Sequence, residues 1–281
     1  MQTEQMPILT LTTDFGTKDH SVAAVKGAIY TELGKASIVD ISHKIPPFHI
    51  TEAAYILKNA YHNFPKGSIH IIGIDSELTP ENKHLALYLD GHYFICANNG
   101  IMSLIAKEIQ PEKIVEINIH NSIETNFTVL DVFVRVAAHI FRGGTLEVIG
   151  KPIQKIKQLK NIEPVVMEQK NQLIGHVLYI DNFGNVVTNV TKKFLQQVAK
   201  GRTIEIKARG ITFNRVYESY SDAINFNEPK EKRVEDGKKI ALFNASGYLE
   251  LAIYRSNLTT VGGASSLFGL KLMSTININF I

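Results

Sequence analysis

The sequence is poor in the features that mark several whole classes of protein. Cys96 is the only cysteine, which excludes an internal disulfide framework and fits a reducing compartment. Set between Ile95 and Ala97, it reads as a small buried apolar residue and not as a nucleophile. No apolar run approaches the ~20 residues a membrane helix needs, and Met1 to Gln5 hold no basic segment leading into an apolar one. No membrane association and a cytoplasmic location are therefore expected. Neither sign of charge is in large excess: the 30 Lys and Arg exceed the 27 Asp and Glu by three. Apart from Lys151, Lys155, Lys157 and Lys160 the basic residues are scattered, which argues against nucleic acid as a partner. The 10 histidines show no H-x-H or H-E-x-x-H spacing and there is no cysteine pair, so no metal site is expected. Gly143-Gly144 reads as a helix stop, because no Lys-Ser or Lys-Thr follows to make a phosphate cradle. Internal repeats and low-complexity tracts are absent.

What is present is core. With 44% hydrophobic residues over 281 positions, the chain can bury a large interior and favours two domains. Ile8 to Thr13, Ser37 to Ile41, Ser68 to Ile74, Leu85 to Leu89, Tyr93 to Ala97 and Lys113 to Ile117 read as short strands rich in Ile, Val and Leu. Ser21 to Leu33, Thr51 to Asn63, Ile101 to Ile109 and Leu130 to Phe141 carry apolar residues at helical spacing. This alternation predicts a layered α/β domain with a largely parallel sheet. Asp90-Gly91 is a hairpin signal that adds an antiparallel ribbon. Composition turns Lys-rich and polar between Gly150 and Pro164, giving an N-terminal domain over 1–155, a linker over 156–168 and a C-terminal domain over 169–281. The last part predicts a small antiparallel β domain. Its strands are Leu173 to Ile180, Val186 to Val190, Thr203 to Lys207, Lys239 to Phe243 and Leu249 to Tyr254, with one short helix capped by Thr191. In the final strand Ile276, Ile278 and Phe280 alternate with polar residues.

Two acidic turns stand out. Asp14 ends the first strand, where a carboxylate either accepts two hydrogen bonds from a vicinal diol such as a ribose or caps its own turn. Asp19 and Ser21 flank the next helix as ligand contacts or as N-cap residues. Asp75 ends Ile71 to Ile74 and should emerge on the same sheet edge as Asp14. Asp181-Asn182-Phe183-Gly184-Asn185 repeats the theme in the second half. Asp14-Phe15-Gly16 is not the magnesium-binding motif of protein kinases, because no glycine-rich loop or H-R-D motif precedes it. Phe48, after Pro46-Pro47, is either a core plug or an aromatic wall for a ligand.

The ordered blocks LTTDFGTKDHSVAAVKG, VDISHKIPPF (Val39 to Phe48), ANNG (Ala97 to Gly100), IDNFGNVVTNV (Ile180 to Val190) and NASGYLELA (Asn244 to Ala252) resemble the S-adenosyl-L-methionine (SAM) hydrolase family. Its members are also called SAM hydroxide adenosyltransferases, and its relatives include the SAM-dependent fluorinase and chlorinase. The resemblance implies an N-terminal α/β domain, a C-terminal β-barrel-like domain and a homotrimer, with SAM between the N-terminal domain of one subunit and the C-terminal domain of its neighbour. It implies that Asp14 holds the ribose hydroxyls and that Asp19, Ser21 and Asp181 contact the methionine portion. Phe183 and Asn185 would pack on and hydrogen-bond the adenine, Phe48 would wall the sugar, and Ala245 and Ser246 would lie near the methionine carboxylate. SAM would be the substrate and no cofactor is implied. Water or hydroxide attacking C5′ in line would release methionine and leave adenosine, with the enzyme positioning and desolvating the reactants.

The chain departs from the family where that water is held. Family hydrolases use an Asp, an Arg and a His in motifs like D-P-G-V-G-T-x-R-R and F-H-G-R-D. Here Asp75 is kept, Asn82 stands at the Arg position with Lys83 beside it, and Thr128 replaces the His. Neither Asn82 nor Thr128 brings a cation, and loss of such groups commonly costs ~10²-fold or more in rate. Asp75 argues for water over halide, since a carboxylate would repel an incoming anion. The expected function is therefore SAM hydrolysis to adenosine and methionine, with Asp75, Asn82 and Thr128 as catalytic candidates. A non-catalytic SAM or adenosine binder, or a reaction with another nucleophile, are the alternatives.

Overall fold

The computed structural model describes residues 6–281 apart from 107, 108, 124, 234 and 236. Met1 to Gln5, and residues 107 and 108 of the helix predicted over Ile101 to Ile109, lie outside the described residues. Two compact units divide between Lys160 and Asn161.

In chain order the first unit contains β1 (Ile8–Thr13), α1 (Ser21–Leu33), β2 (Ser37–Ser42), α2 (Ile50–Tyr61), β3 (Ile69–Gly73), β4 (His84–Leu89) and β5 (His92–Ala97). It continues with α3 (Ile101–Ile105), β6 (Lys113–Ile117), α4 (Val134–Phe141), α5 (Leu146–Ile149) and β7 (Gly150–Pro152). The strands form one sheet in the order β2-β1-β3-β5-β4-β6-β7. Pairings from β2 through β5 are parallel and those from β5 through β7 are antiparallel. The change of sense falls at Asp90-Gly91, whose φ angles of 50° and 78° are those a two-residue hairpin turn requires.

Alternate strand residues serve opposite faces, as the two-residue period dictates. Leu9, Leu11, Ile69, Ile71 and Ile95 pack with Val25 and Ile29 of α1 and with Val136 and Ile140 of α4. Ile72, Leu85, Leu87, Phe94 and Cys96 pack with Ala54 and Leu57 of α2 and with Ile101 of α3. The result is a helix layer on each side of the sheet. Cys96 is fully buried, and burial pushes its thiol up to about 12, so it carries no thiolate near neutral pH.

The helix predicted from Leu130 opens differently. Val129 to Phe133 form a π-helical turn that runs into α4, a widening that local sequence periodicity does not reveal. Gly73, the last residue of β3, sits where a Cβ would lie 3.0 Å from the Phe15 ring and 3.2 Å from both Thr13 Cγ2 and Val129 Cγ2. Its missing side chain lets the loop after β1 close over β3.

The second unit contains β8 (Val165–Met167), β9 (Gln172–Ile180), β10 (Val186–Thr191), α6 (Lys192–Ala199), β11 (Ile204–Ala208), β12 (Ile211–Phe213), β13 (Lys239–Phe243), β14 (Tyr248–Ile253), α7 (Ala264–Leu267) and β15 (Thr275–Phe280). All its strand pairings are antiparallel, in the order β12-β11-β15-β9-β10-β14-β13 with β8 added to β9. Just beyond β12, Tyr217 bridges to Leu242 of β13, so the two ends of the sheet meet and the unit is barrel-like. Ile276, Ile278 and Phe280 face its core. Thr191 caps α6, its Oγ1 accepting from the Phe194 N–H at 3.2 Å. The predicted linker holds a strand: Val165 to Met167 pair with β9, and three residues are too few for an alternation signal. Among the described residues no helix is long and apolar enough to cross a membrane.

Candidate active site

A cleft of about 760 Å³ opens in the first unit at the carboxyl ends of β1 and β3, where open α/β sheets bind ligands. Asp14, Phe48, Asp75, Glu77, His120 and Thr128 are among the residues lining it. Topology explains the gathering. β1 and β3 run parallel and deliver Asp14 and Asp75 to one edge. β6 runs in the same direction and delivers His120, while β4 runs oppositely and begins at that edge with His84.

Asp14 is half-buried, and its Oδ2 accepts the Phe48 N–H at 2.8 Å. This bond ties the loop after β2 to the end of β1. Phe48 adopts φ of 64° and leaves 72% of its surface exposed. It is therefore a wall at the rim and not a core plug. Asp75 also has a left-handed backbone, φ 43°, which turns the chain sharply out of β3. Among the described residues Asp14, Asp75 and Glu77 line the cleft, and no Lys or Arg does.

Asn82 and Thr128 have different surroundings from each other. Asn82 does not line the cleft. Its Nδ2 donates to the Asp75 carbonyl at 2.9 Å and to the Glu77 carbonyl at 3.2 Å, and its buried Oδ1 has no hydrogen-bond partner among the described residues. Thr128 lines the cleft, but its hydroxyl donates to the Ser76 carbonyl at 2.8 Å. Lys83 does not line the cleft, although its charge lies close enough to His120 to disfavour protonation there.

Asp19 is exposed and Ser21 half-buried at the start of α1, outside the cleft lining. Neither caps the helix. The N-cap position is His20, in a helical conformation and without a side-chain capping bond.

Sequence reasoning missed a histidine pair. His84 is wholly buried against the Phe133 ring. Its Nε2 lies 2.9 Å from the Ser76 carbonyl and its Nδ1 2.8 Å from His120 Nε2. Burial pushes His84 down to about 4, with the bond to Ser76 opposing and His120 assisting. His120 is also lowered, chiefly by burial. The Ser76 carbonyl can only accept, so neutral His84 carries its proton on Nε2 and turns a bare Nδ1 toward His120. No local motif marks this pair, since its members lie 36 positions apart and meet only through the strand order.

The second unit holds the remaining candidates. Asp181 shapes its own turn, Oδ1 accepting from the Phe183 N–H at 2.9 Å and the Asn185 N–H at 2.8 Å. Its Oδ2 accepts from Asn185 Nδ2 at 2.9 Å, which pre-sets the loop. Phe183 and Asn185 line a hollow of about 240 Å³ with Tyr220, Tyr254, Arg255 and Ser256. Asn185 Nδ2 also reaches the Tyr220 hydroxyl at 3.2 Å, which donates to Glu250. Burial raises the Glu250 carboxyl above its usual range and raises the Tyr220 phenol as well. Ala245 and Ser246 are exposed in the β13–β14 turn and do not line this hollow. That turn is held by Asn244 Oδ1, which accepts the N–H groups of Ser246 and Tyr248 at 3.1 Å each.

An α/β unit with an acidic cleft at its strand ends, followed by a β-barrel-like unit with an aromatic hollow, defines a class of two-domain proteins with a candidate site in each unit. Comparison with known proteins narrows the class. Residues 9–150 match the SAM hydroxide adenosyltransferase N-terminal domain and residues 175–277 match the C-terminal domain of the same family. The chain is 30% identical over 284 residues to the (R)-S-adenosyl-L-methionine hydrolase of Methanocaldococcus jannaschii, covering 99% of this chain and 98% of that protein. It is 25% identical over 280 residues to the fluorinase of Nocardia brasiliensis, covering 88% and 90%. A crystal structure of an uncharacterized conserved protein from Thermotoga maritima superposes with a TM-score of 0.82 at 25% identity, covering 97% of this chain and 100% of that one. This chain belongs to the SAM hydroxide adenosyltransferase family.

Proposed function

We propose that the protein hydrolyses SAM to adenosine and methionine. The observation that carries the reading is the charge of the cleft: among the described residues Asp14, Asp75 and Glu77 line it without a Lys or Arg. Such a surface suits a ligand that is cationic at its reacting centre and carries a diol. Asp14, at the end of β1, holds the ribose hydroxyls, and Phe48 walls the sugar. Asp75 orients a water against C5′. The water oxygen bonds to C5′ as the C5′–S bond breaks, the sulfur keeps the electron pair and leaves as methionine, and the water's proton passes to the Asp75 carboxylate. Phe183 and Asn185 take the adenine, and Asp19, Ser21, Asp181, Ala245 and Ser246 take the methionine portion. SAM is the substrate and no cofactor takes part. A homotrimer in the cytoplasm, with each ligand held by two copies of the chain, completes the proposal. Asp75 favours water over halide as nucleophile.

A second reading has its own support. Asn82 and Thr128 spend their donors on backbone carbonyls, as expected of a SAM or adenosine binder that has lost turnover. Incubation of the purified protein with SAM, followed by chromatography of adenosine, separates the two. Release above the spontaneous rate supports hydrolysis; calorimetric binding without release supports the binder.

A further inference from the structure

The residues at the family's Arg and His positions share one feature with His84 and Asn99: each donates to a backbone carbonyl of the loop that carries Asp75. Asn99 Nδ2 donates to Ile74 O at 2.9 Å. Asn82 Nδ2 donates to Asp75 O and Glu77 O. Ser76 O accepts both the Thr128 hydroxyl at 2.8 Å and His84 Nε2–H at 2.9 Å. Four consecutive carbonyls, from Ile74 to Glu77, are thus held by side chains in a stretch that belongs to no strand or helix.

Such a density of side-chain donors is unusual, because most backbone groups pair within regular structure or with water. It also falls on a turn whose central residue, Asp75, has a left-handed backbone, a conformation that surrounding structure must stabilise when the residue is not glycine. Three of the four donors come from different elements: Asn99 follows β5, His84 begins β4 and Thr128 precedes the π turn. His84 is aimed in its turn by His120 at the cleft wall.

We propose that Asn82, His84, Asn99 and Thr128 form a carbonyl brace that fixes the Ile74–Glu77 turn and so presents the Asp75 carboxylate to the cleft. They are positioning residues, and the Asp75 they present is the group that handles the water. The arrangement changes the meaning of the departures from the family pattern. Asn82 and Thr128 are not weakened copies of a charged water site but parts of a rigid seat for the carboxylate that remains. The kinetic consequence rests on the hydrolase reading above; the brace itself does not.

The test has a kinetic arm and a spectroscopic arm. Thr128→Val keeps the side-chain shape and removes the donor, so kcat should fall about tenfold with KM for SAM within about twofold, the effect of one lost hydrogen bond acting through position. Thr128→Ser should restore kcat. In an Asp75→Asn background Thr128→Val should cost nothing further, because the group it positions is gone. An equal loss in both backgrounds would assign the hydroxyl to the reacting atoms and overturn the brace, as would unchanged kcat in both Thr128→Val and Asn82→Ala. In the unmodified protein, ring nitrogen NMR shifts should show His84 protonated on Nε2 and bare on Nδ1 at neutral pH. The opposite tautomer would leave Ser76 O without its imidazole donor and refute the brace whether or not adenosine is formed. Absence of adenosine from the unmodified protein, with the expected tautomer present, removes the hydrolase reading and leaves the brace standing.

Discussion

The first unit should lose stability steeply as pH falls from neutrality toward pH 5, because it buries histidines that fold in the neutral form. His70 is wholly buried between Thr10 Oγ1 at 2.7 Å and His92 Nδ1 at 3.2 Å. Burial, with a smaller contribution from His92, pushes it down from 6.5 to about 3. His84 is pushed down from 6.5 to about 4. Between those values and 6.5 the unfolded chain binds protons that the folded chain does not, so stability is full above the unfolded pKa and declines as pH falls through the window. Each tenfold change in proton affinity between the folded and unfolded chain corresponds to about 1.4 kcal/mol. Lowering the pH from about 7.5 to about 5 therefore removes about 2 kcal/mol for each histidine, or about 4 kcal/mol together. Glu52, whose carboxyl is raised by burial, acts in the opposite sense and offsets part of the loss. A comparison with His70→Gln isolates one contribution. Urea unfolding followed by circular dichroism at the two pH values should show a pH-dependent loss about 2 kcal/mol smaller in the variant, even though it starts from lower stability. An equal loss in variant and parent, or no loss in the parent, would refute the burial argument.

Other consequences are as direct. Asp14→Ala should abolish measurable SAM and adenosine binding by calorimetry; unchanged affinity would remove the ribose assignment. Asp75→Asn should lower kcat by ~10²-fold or more while the protein still binds SAM, as expected for loss of a group that takes the water's proton. Gly73→Ala should destabilise by about 1–3 kcal/mol in urea, since its Cβ meets three side-chain atoms in a packed seam. Thr191→Ala should cost about 1 kcal/mol through loss of the α6 cap, with no change in SAM binding.

The core of the architecture was legible in the sequence wherever periodicity was long enough to speak. The strand Ile8–Thr13, the helix Ser21–Leu33 and the alternating Thr275–Phe280 strand all lie where the pattern put them, and Asp90-Gly91 marks the point at which parallel pairing gives way to antiparallel. Short elements were not legible. Val165–Met167 and Ile211–Phe213 are each three residues long and owe their conformation to the strands they join. The π turn at Val129–Phe133 keeps helical spacing in sequence and differs only in which carbonyls are met. At the site, Asp14, Phe48, Asp75 and Thr128 come together in one cleft. Asn82 was found by position, but the partners of its side chain follow from the course of the 75–82 loop. His84 and His120 were invisible because their meeting depends on β4 and β6 being sheet neighbours. Tyr220 and Glu250 escaped for the same reason: their contact spans 30 residues and carries no local signature.

The most direct test of the functional account is a stoichiometric one. Purified protein incubated with SAM in oxygen-18 water should release methionine and adenosine in equal amounts, with the label in the adenosine 5′-hydroxyl. Release at the spontaneous rate, or adenosine formed without the label, would contradict attack of water on C5′ in this cleft.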